Sequence, residues 1–215
     1  MWIMYRQVPN LITVSRLVIT ALFFIAINLR VGANHFTILM AVCFGLFLLA
    51  TGSDVLDGYL ARSWKVESAF GRVVDPFADK ILICGAFVFF CSPVVPVAVV
   101  EACAHPAIYS PTGIAPWMAV VLIAREFLVT GIRGLAESRG IDFRAKWMGK
   151  LKMFFQSIAV GGVVVCFMAA SPLRGSMALY GLLVARDVAI WLTVLITVVS
   201  AWQYIVSGWR VMRPA

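Results

Sequence analysis

Apolar residues fall along this chain in six long blocks, at about 12–29, 36–56, 76–100, 115–137, 152–170 and 186–207. A helix needs roughly 17–25 apolar residues to cross a bilayer, and each block meets that length. The blocks are broken by "RVGANH", by an aspartate-rich stretch from Ser53 to Lys80, by a proline-rich stretch from Ser92 to Pro116, by a basic stretch from Arg139 to Lys152, and by "SPLRGSMALYG". The pattern predicts an all-α integral membrane protein of six transmembrane helices, a single domain over residues 1–215. The proline-rich break is apolar enough to be expected on the membrane surface.

Composition agrees. The chain is 62% hydrophobic and 13% charged, with a mean hydropathy of +0.96. Soluble domains carry about 45–50% apolar and about 25% charged residues. The N-terminus lacks a lysine-rich segment and the first block has no small-residue cleavage site, so that block is expected to be retained. If both termini, the aspartate-rich stretch and the Arg139–Lys152 region share one side, only Arg30, Arg174 and Arg186 of the 18 lysines and arginines lie on the other. The positive-inside rule then puts both termini and the aspartates at the cytoplasmic face of the inner membrane. The same rule, with anionic headgroups, accounts for the net charge of +8 without nucleic acid.

Five cysteines (Cys43, Cys84, Cys91, Cys103, Cys166) lack metal-binding spacing and read as small buried hydrophobes. Cys91 and Cys103 could pair if the loop between them is extracytoplasmic. His35 and His105 are expected in loops and suggest no metal site.

Half of the 10 acidic residues lie between Ser53 and Lys80. Asp54 and Asp57 are three apart, and Asp75 and Asp79 four apart, so each pair shares a helix face. The first pair is expected to end the second span and the second pair to open the third. A short loop makes the two helices antiparallel neighbours, which brings four carboxylates to one groove. So close, they would repel and partly protonate unless divalent cations sat between them. All-oxygen ligands suit Mg²⁺ or Mn²⁺, and two such ions form a clamp for phosphoryl transfer. Gly58, Ala61 and Gly71 leave room for a ligand near the backbone, or for close helix packing. Arg62 suits a diphosphate, or an interfacial anchor.

The pattern Asp54-x2-Asp57-Gly58-x2-Ala61-Arg62-x8-Gly71-x3-Asp75-x3-Asp79 resembles the full signature of the CDP-alcohol phosphotransferase family, with every fixed position matched. The resemblance implies a six-helix membrane enzyme, a homodimer, that transfers a phosphoalcohol from a CDP-alcohol and releases CMP. It makes Asp54, Asp57, Asp75 and Asp79 the metal ligands and Asp79 also the general base. It assigns Gly58, Arg62 and Ser68 to the CDP moiety. Asn10, Thr13 and Arg16, in "PNLITVSR", resemble a more weakly marked nucleotide-contacting segment, although Asn10 also reads as a helix cap.

The second half bears on the acceptor. Arg125, Glu126 and Arg133 lie inside a predicted span, where ionisable residues are costly and usually functional. Arg125 and Arg133, eight apart, share a helix face. With Lys150 and Lys152 they suit an acceptor carrying a phosphate. Gly149, Lys150, Lys152 and Gln156 resemble a segment of the bacterial phosphatidylglycerophosphate synthases, with Met153 in place of the usual threonine. The substrates so implied are CDP-diacylglycerol and sn-glycerol 3-phosphate, met among membrane lipids. Inositol phosphate, phosphatidylglycerol and serine remain as other acceptors. A divalent-cation transporter and an inactive scaffold are readings of another class. Against the transporter, both aspartate pairs are expected at the same membrane face, and Thr37, Thr193, Thr197 and Ser200 look scattered rather than arranged as a path.

Overall fold

The computed structural model describes the backbone of residues 2–64, 69–103, 110–139 and 147–212, and side chains for 14–32, 35–53, 77, 78, 80–103, 110–136, 138, 139 and 151–208. Among the described residues the chain forms seven α-helices: α1 (Trp2–Ile27), α2 (Ala33–Trp64), α3 (Ala69–Cys91), α4 (Val97–Cys103), α5 (Pro116–Ser138), α6 (Trp147–Ala170) and α7 (Met177–Met212). The boundaries follow local chemistry. Pro116 opens α5, where its missing N–H costs nothing. Ser176 caps α7, its Oγ accepting from the Leu179 amide at 3.2 Å, just after Gly175 turns the chain at φ +75°.

The helices differ from the hydropathy blocks in informative ways. α2 runs about two turns past Asp57 to Trp64, so the first aspartate pair lies within the helix rather than at its end. The third block is two elements: α3 stops at Cys91, and Val97–Cys103 forms the separate short helix α4. Pro93 and Pro96 explain the break, since each lacks the amide a continuing helix requires. α7 begins nine residues earlier than its block, at Met177. His35 lies in the first turn of α2 rather than in a loop.

Three helical stretches are long and apolar enough to cross a membrane among the described residues: His35–Ser53, Leu151–Ala170 and Met177–Gly208. Val14–Ile27 and Lys80–Cys91 are shorter apolar helices. Large apolar side chains cover the outside, including Phe127 at 76% exposure, Trp202, Val120 and Ile38. An apolar exterior over long apolar helices is that of a membrane protein.

The core is rich in phenylalanine. Phe23, Phe36, Phe47, Phe87, Phe90 and Phe167 are all buried. Phe167 meets Phe36 and Phe90 edge-on, with centroids 6.1 and 6.5 Å away. In lipid, transfer from water contributes little to helix association, so close packing carries the load. Gly85 of α3 shows this: a Cβ there would run into the ring of Phe24 on α1, which stacks on Phe89 at 5.0 Å.

The proline-rich stretch is not a surface segment throughout. Val99, Cys103, Thr112 and Ile114 are buried. The Thr112 hydroxyl donates to the Phe90 carbonyl at 2.7 Å, closing the end of α3. Arg186 of α7, fully buried, donates from Nη1 to the Pro111 carbonyl at 2.7 Å and pairs with Asp187 at 2.7 Å. The five cysteines are free. Cys103 points its thiol at the Cys166 carbonyl and Cys91 at the Phe87 carbonyl, so the two do not pair.

Gly113 makes this closure possible. It sits at φ +74°, and a Cβ would stand 2.6 Å from Oδ1 of Asp187. Gly113→Ala is expected to cost on the order of 1–3 kcal/mol from backbone conformation alone, with the clash in addition. Thermal unfolding in detergent measures it, and an unchanged midpoint would mean the loop does not hold that conformation.

Candidate functional site

The opposite end of the bundle holds the charged residues expected to be functional. Asp54, Asp57, Gly58 and Arg62 lie on the last turns of α2, and Asp75 and Asp79 on the early turns of α3. Asn10 and Thr13 lie on α1 and Lys150 on the first turn of α6. Their side chains lie outside the described residues, as does Ser68 entirely. What the backbone settles is that both aspartate pairs are helical, so each pair occupies one face of its helix. Arg16 is fully buried on α1. The weakest of the sequence motifs thus contains a buried arginine, which a membrane helix does not carry without use.

The cationic residues are resolved in detail. Glu126 of α5 is the hub. Its Oε1 accepts from Arg125 Nη1 at 3.3 Å and from Lys152 Nζ of α6. All three residues are buried. Arg125 also donates from Nη2 to Ser200 Oγ of α7 at 2.6 Å, and its guanidinium lies 5.5 Å from the Tyr204 ring centroid. Arg133, two turns on, donates to the Tyr204 hydroxyl at 3.4 Å. The expected shared face of Arg125 and Arg133 is therefore real, and it is turned toward α7. Among the described residues, Nε of both arginines and Nε2 of Gln156 find no acceptor.

One contact carries α3 into this cluster. Lys80, the residue after Asp79, donates from Nζ to Thr130 Oγ1 at 2.6 Å. The Thr130 hydroxyl in turn donates to the Glu126 carbonyl at 2.7 Å. The carboxylate-bearing segment of α3 thus lies beside the cation-bearing segment of α5. Lys152 is committed to Glu126 rather than standing open, which was not apparent from its position in a basic stretch.

The sequence reading overlooked α7. Thr37 lies apart on α2, but Thr193, Thr197 and Ser200 are not scattered: with Tyr204 they are buried on one face of α7. Their spacing of four, three and four is the helical repeat, and that signal was available. Thr193 is locked to α6 and to its own helix, with its hydroxyl 2.9 Å from the Phe155 carbonyl and 2.8 Å from that of Ala189.

A membrane-embedded helical bundle with carboxylate-bearing and cation-bearing segments side by side at one end is suited to handling an anionic substrate. A family model described as CDP-alcohol phosphatidyltransferase matches residues 6–199, and the chain belongs to that family. It is a transferase. A Bacillus subtilis protein named CDP-diacylglycerol–glycerol-3-phosphate 3-phosphatidyltransferase is 30% identical, over 96% of this chain and 97% of its own length. A Mycobacterium tuberculosis protein named "Probable phosphatidylglycerophosphate synthase" is 33% identical over 95% of this chain and 82% of its own. A Haemophilus influenzae protein with the first of these names is 27% identical over 86% and 88%.

Removing one partner of a buried ion pair leaves an uncompensated charge and costs about 3–5 kcal/mol. Glu126→Ala strands Lys152 and part of Arg125, so it is expected to unfold in detergent with a loss of that size. A variant as stable as the parent would show that water reaches the cluster and neutralises the loss.

Proposed function

We propose that the protein transfers the phosphatidyl group of CDP-diacylglycerol to sn-glycerol 3-phosphate, giving phosphatidylglycerophosphate and CMP. The observation that carries this is the contact of Lys80 with Thr130, which sets the Asp75–Asp79 segment beside Arg125, Glu126 and Arg133. The relatives' names point to the same substrates. We further propose six spans, with the site and both termini at the cytoplasmic face of the inner membrane. Of the three cations assigned to the other side, Arg30 and Arg174 fall in the turns after α1 and α6, and Arg186, inside α7, bonds to the Pro111 carbonyl in the loop before α5, in keeping with the positive-inside rule. The acyl chains then remain in lipid while nucleotide and acceptor arrive from water.

The donor chemistry fits divalent cations. The four aspartates offer the hard oxygen ligands that Mg²⁺ or Mn²⁺ prefers. Held by Asp54, Asp57, Asp75 and Asp79, two such ions would offset the diphosphate charge and that of the departing CMP. Arg16, Asn10, Thr13, Gly58, Arg62 and Ser68 are proposed to hold the CDP portion. Arg125 and Arg133 take the acceptor phosphate, because guanidinium forks match phosphate oxygens. Lys150 and Lys152 add positive potential. A fixed acceptor presents its free hydroxyl to Asp79, which takes the proton. The hydroxyl oxygen bonds to the phosphorus bearing diacylglycerol, and the bond from that phosphorus to the CMP oxygen breaks. Positioning and charge stabilisation supply most of the acceleration. The homodimer remains part of the proposal.

CMP release from purified protein, with CDP-diacylglycerol, Mg²⁺ and one acceptor at a time, tests the reading. Release with glycerol 3-phosphate alone is expected. Release only with inositol phosphate, phosphatidylglycerol or serine would move the assignment to that acceptor, and no release with any would end the enzymatic reading.

Asp79→Asn is expected to lose about 10²–10⁴-fold in turnover, the usual contribution of a general base, while still binding CDP-diacylglycerol. Near-normal turnover removes Asp79 as base. Arg133→Ala is expected to raise the KM for glycerol 3-phosphate well above any change in the KM for lipid; equal changes would place Arg133 outside the acceptor site.

A further inference from the structure

The family match ends at residue 199, yet both arginines assigned to the acceptor phosphate rest on the turns just beyond it. Tyr204 is 1% exposed and touches both: its ring faces the Arg125 guanidinium at 5.5 Å and its hydroxyl accepts from Arg133 at 3.4 Å. Ser200, one turn earlier and fully buried, holds the other nitrogen of Arg125 at 2.6 Å. Eight residues of helix separate the arginines by a rise of about 12 Å, so two long side chains must be bent toward one another to meet a single phosphate. Free arginines lose much rotamer entropy in doing so. A rigid ring between them, anchored on α7, removes most of that loss before the substrate arrives.

The pattern of engaged nitrogens supports this. Arg125 spends Nη1 on Glu126 and Nη2 on Ser200, and Arg133 spends Nη2 on Tyr204. Nε of each is buried and has no acceptor among the described residues. The protein contacts thus hold Arg125 by both Nη groups and Arg133 by one, and leave the Nε–H of each without a protein acceptor among the described residues.

We propose that Tyr204, assisted by Ser200, is the positioning residue that sets Arg125 and Arg133 for a phosphate monoester, and so contributes to acceptor selection. The proposal rests on the reading of these arginines as ligands of the acceptor phosphate. Tyr204 is not placed in contact with the reacting atoms; it acts through the two arginines.

Steady-state CMP release distinguishes this from a purely structural role. Tyr204→Leu is expected to raise the KM for glycerol 3-phosphate roughly tenfold, the scale of a desolvated cation–π contact, with the KM for CDP-diacylglycerol within about twofold of the parent. Inorganic phosphate, as a competitor of glycerol 3-phosphate, should weaken by the same factor. Tyr204→Phe keeps the ring and should recover most of the loss. Equal rises in both KM values, or a fall in kcat alone, would overturn the positioning role. If Tyr204→Leu does not fold, Ser200→Ala decides it: an unchanged KM for glycerol 3-phosphate and unchanged phosphate competition would overturn it. Parent enzyme that uses a different acceptor would sink the substrate assignment instead, and phosphate competition against that acceptor would still judge Tyr204.

Discussion

Glu126 between Arg125 and Lys152 is the interaction on which the arrangement of the bundle depends. Two cations inside apolar helices carry a desolvation cost that their surroundings cannot meet. One carboxylate between them lowers that cost for both, and it comes from a helix different from that of Lys152. The pair therefore fixes how far α5 and α6 can slide. The hydroxyl of Ser200 extends the constraint to α7, and Lys80 with Thr130 extends it to α3. Four helices are registered at one end by polar contacts, because lipid tails are as apolar as leucine and set no register.

The far end is registered differently. There the chain closes over the bundle with α4 and residues 110–115, and polar side chains bond to backbone carbonyls. Thr112 reaches the Phe90 carbonyl, and Arg186 reaches the carbonyl of Pro111. The buried charge of Arg186 also has Asp187 beside it. Between the two ends lies the phenylalanine core, with Phe36, Phe90 and Phe167 in edge-on contact. A closely packed end thus lies opposite the end that carries the Arg125, Glu126 and Lys152 cluster.

Much of this was legible in the sequence, and the parts that were not have physical reasons. The aspartate spacing placed four carboxylates on two consecutive helices, since a three- or four-residue interval has one meaning on a helix. Arg125 and Arg133 stood out because charge within an apolar run is expensive. Hydropathy could not see where α3 stops, because Val97–Cys103 is as apolar as the span before it; only the prolines marked the break. Nor did it show that Lys152 would be spent on Glu126, since pairing across 26 residues leaves no local trace. The polar face of α7 was missed for another reason. Threonine and serine hardly change a hydropathy average, and their four-three-four spacing shows only when position, not mean polarity, is read. The side chains of the aspartates lie outside the described residues, so the structure speaks to their helices alone.

The row of hydroxyls on α7 has a bearing on the cell's energy economy. A file of polar groups running into a membrane protein from a charged site invites protons and ions to follow it. Here the file is stopped. Thr193 gives its hydrogen to backbone carbonyls, Ile190 fills the next turn with hydrocarbon, and Phe167 and Phe90 lie fully packed toward the far end. With hydrocarbon between that file and the Arg186–Asp187 pair at the far end, the described residues offer ions no continuous polar path along the bundle, so charges at both ends need not short-circuit a membrane potential.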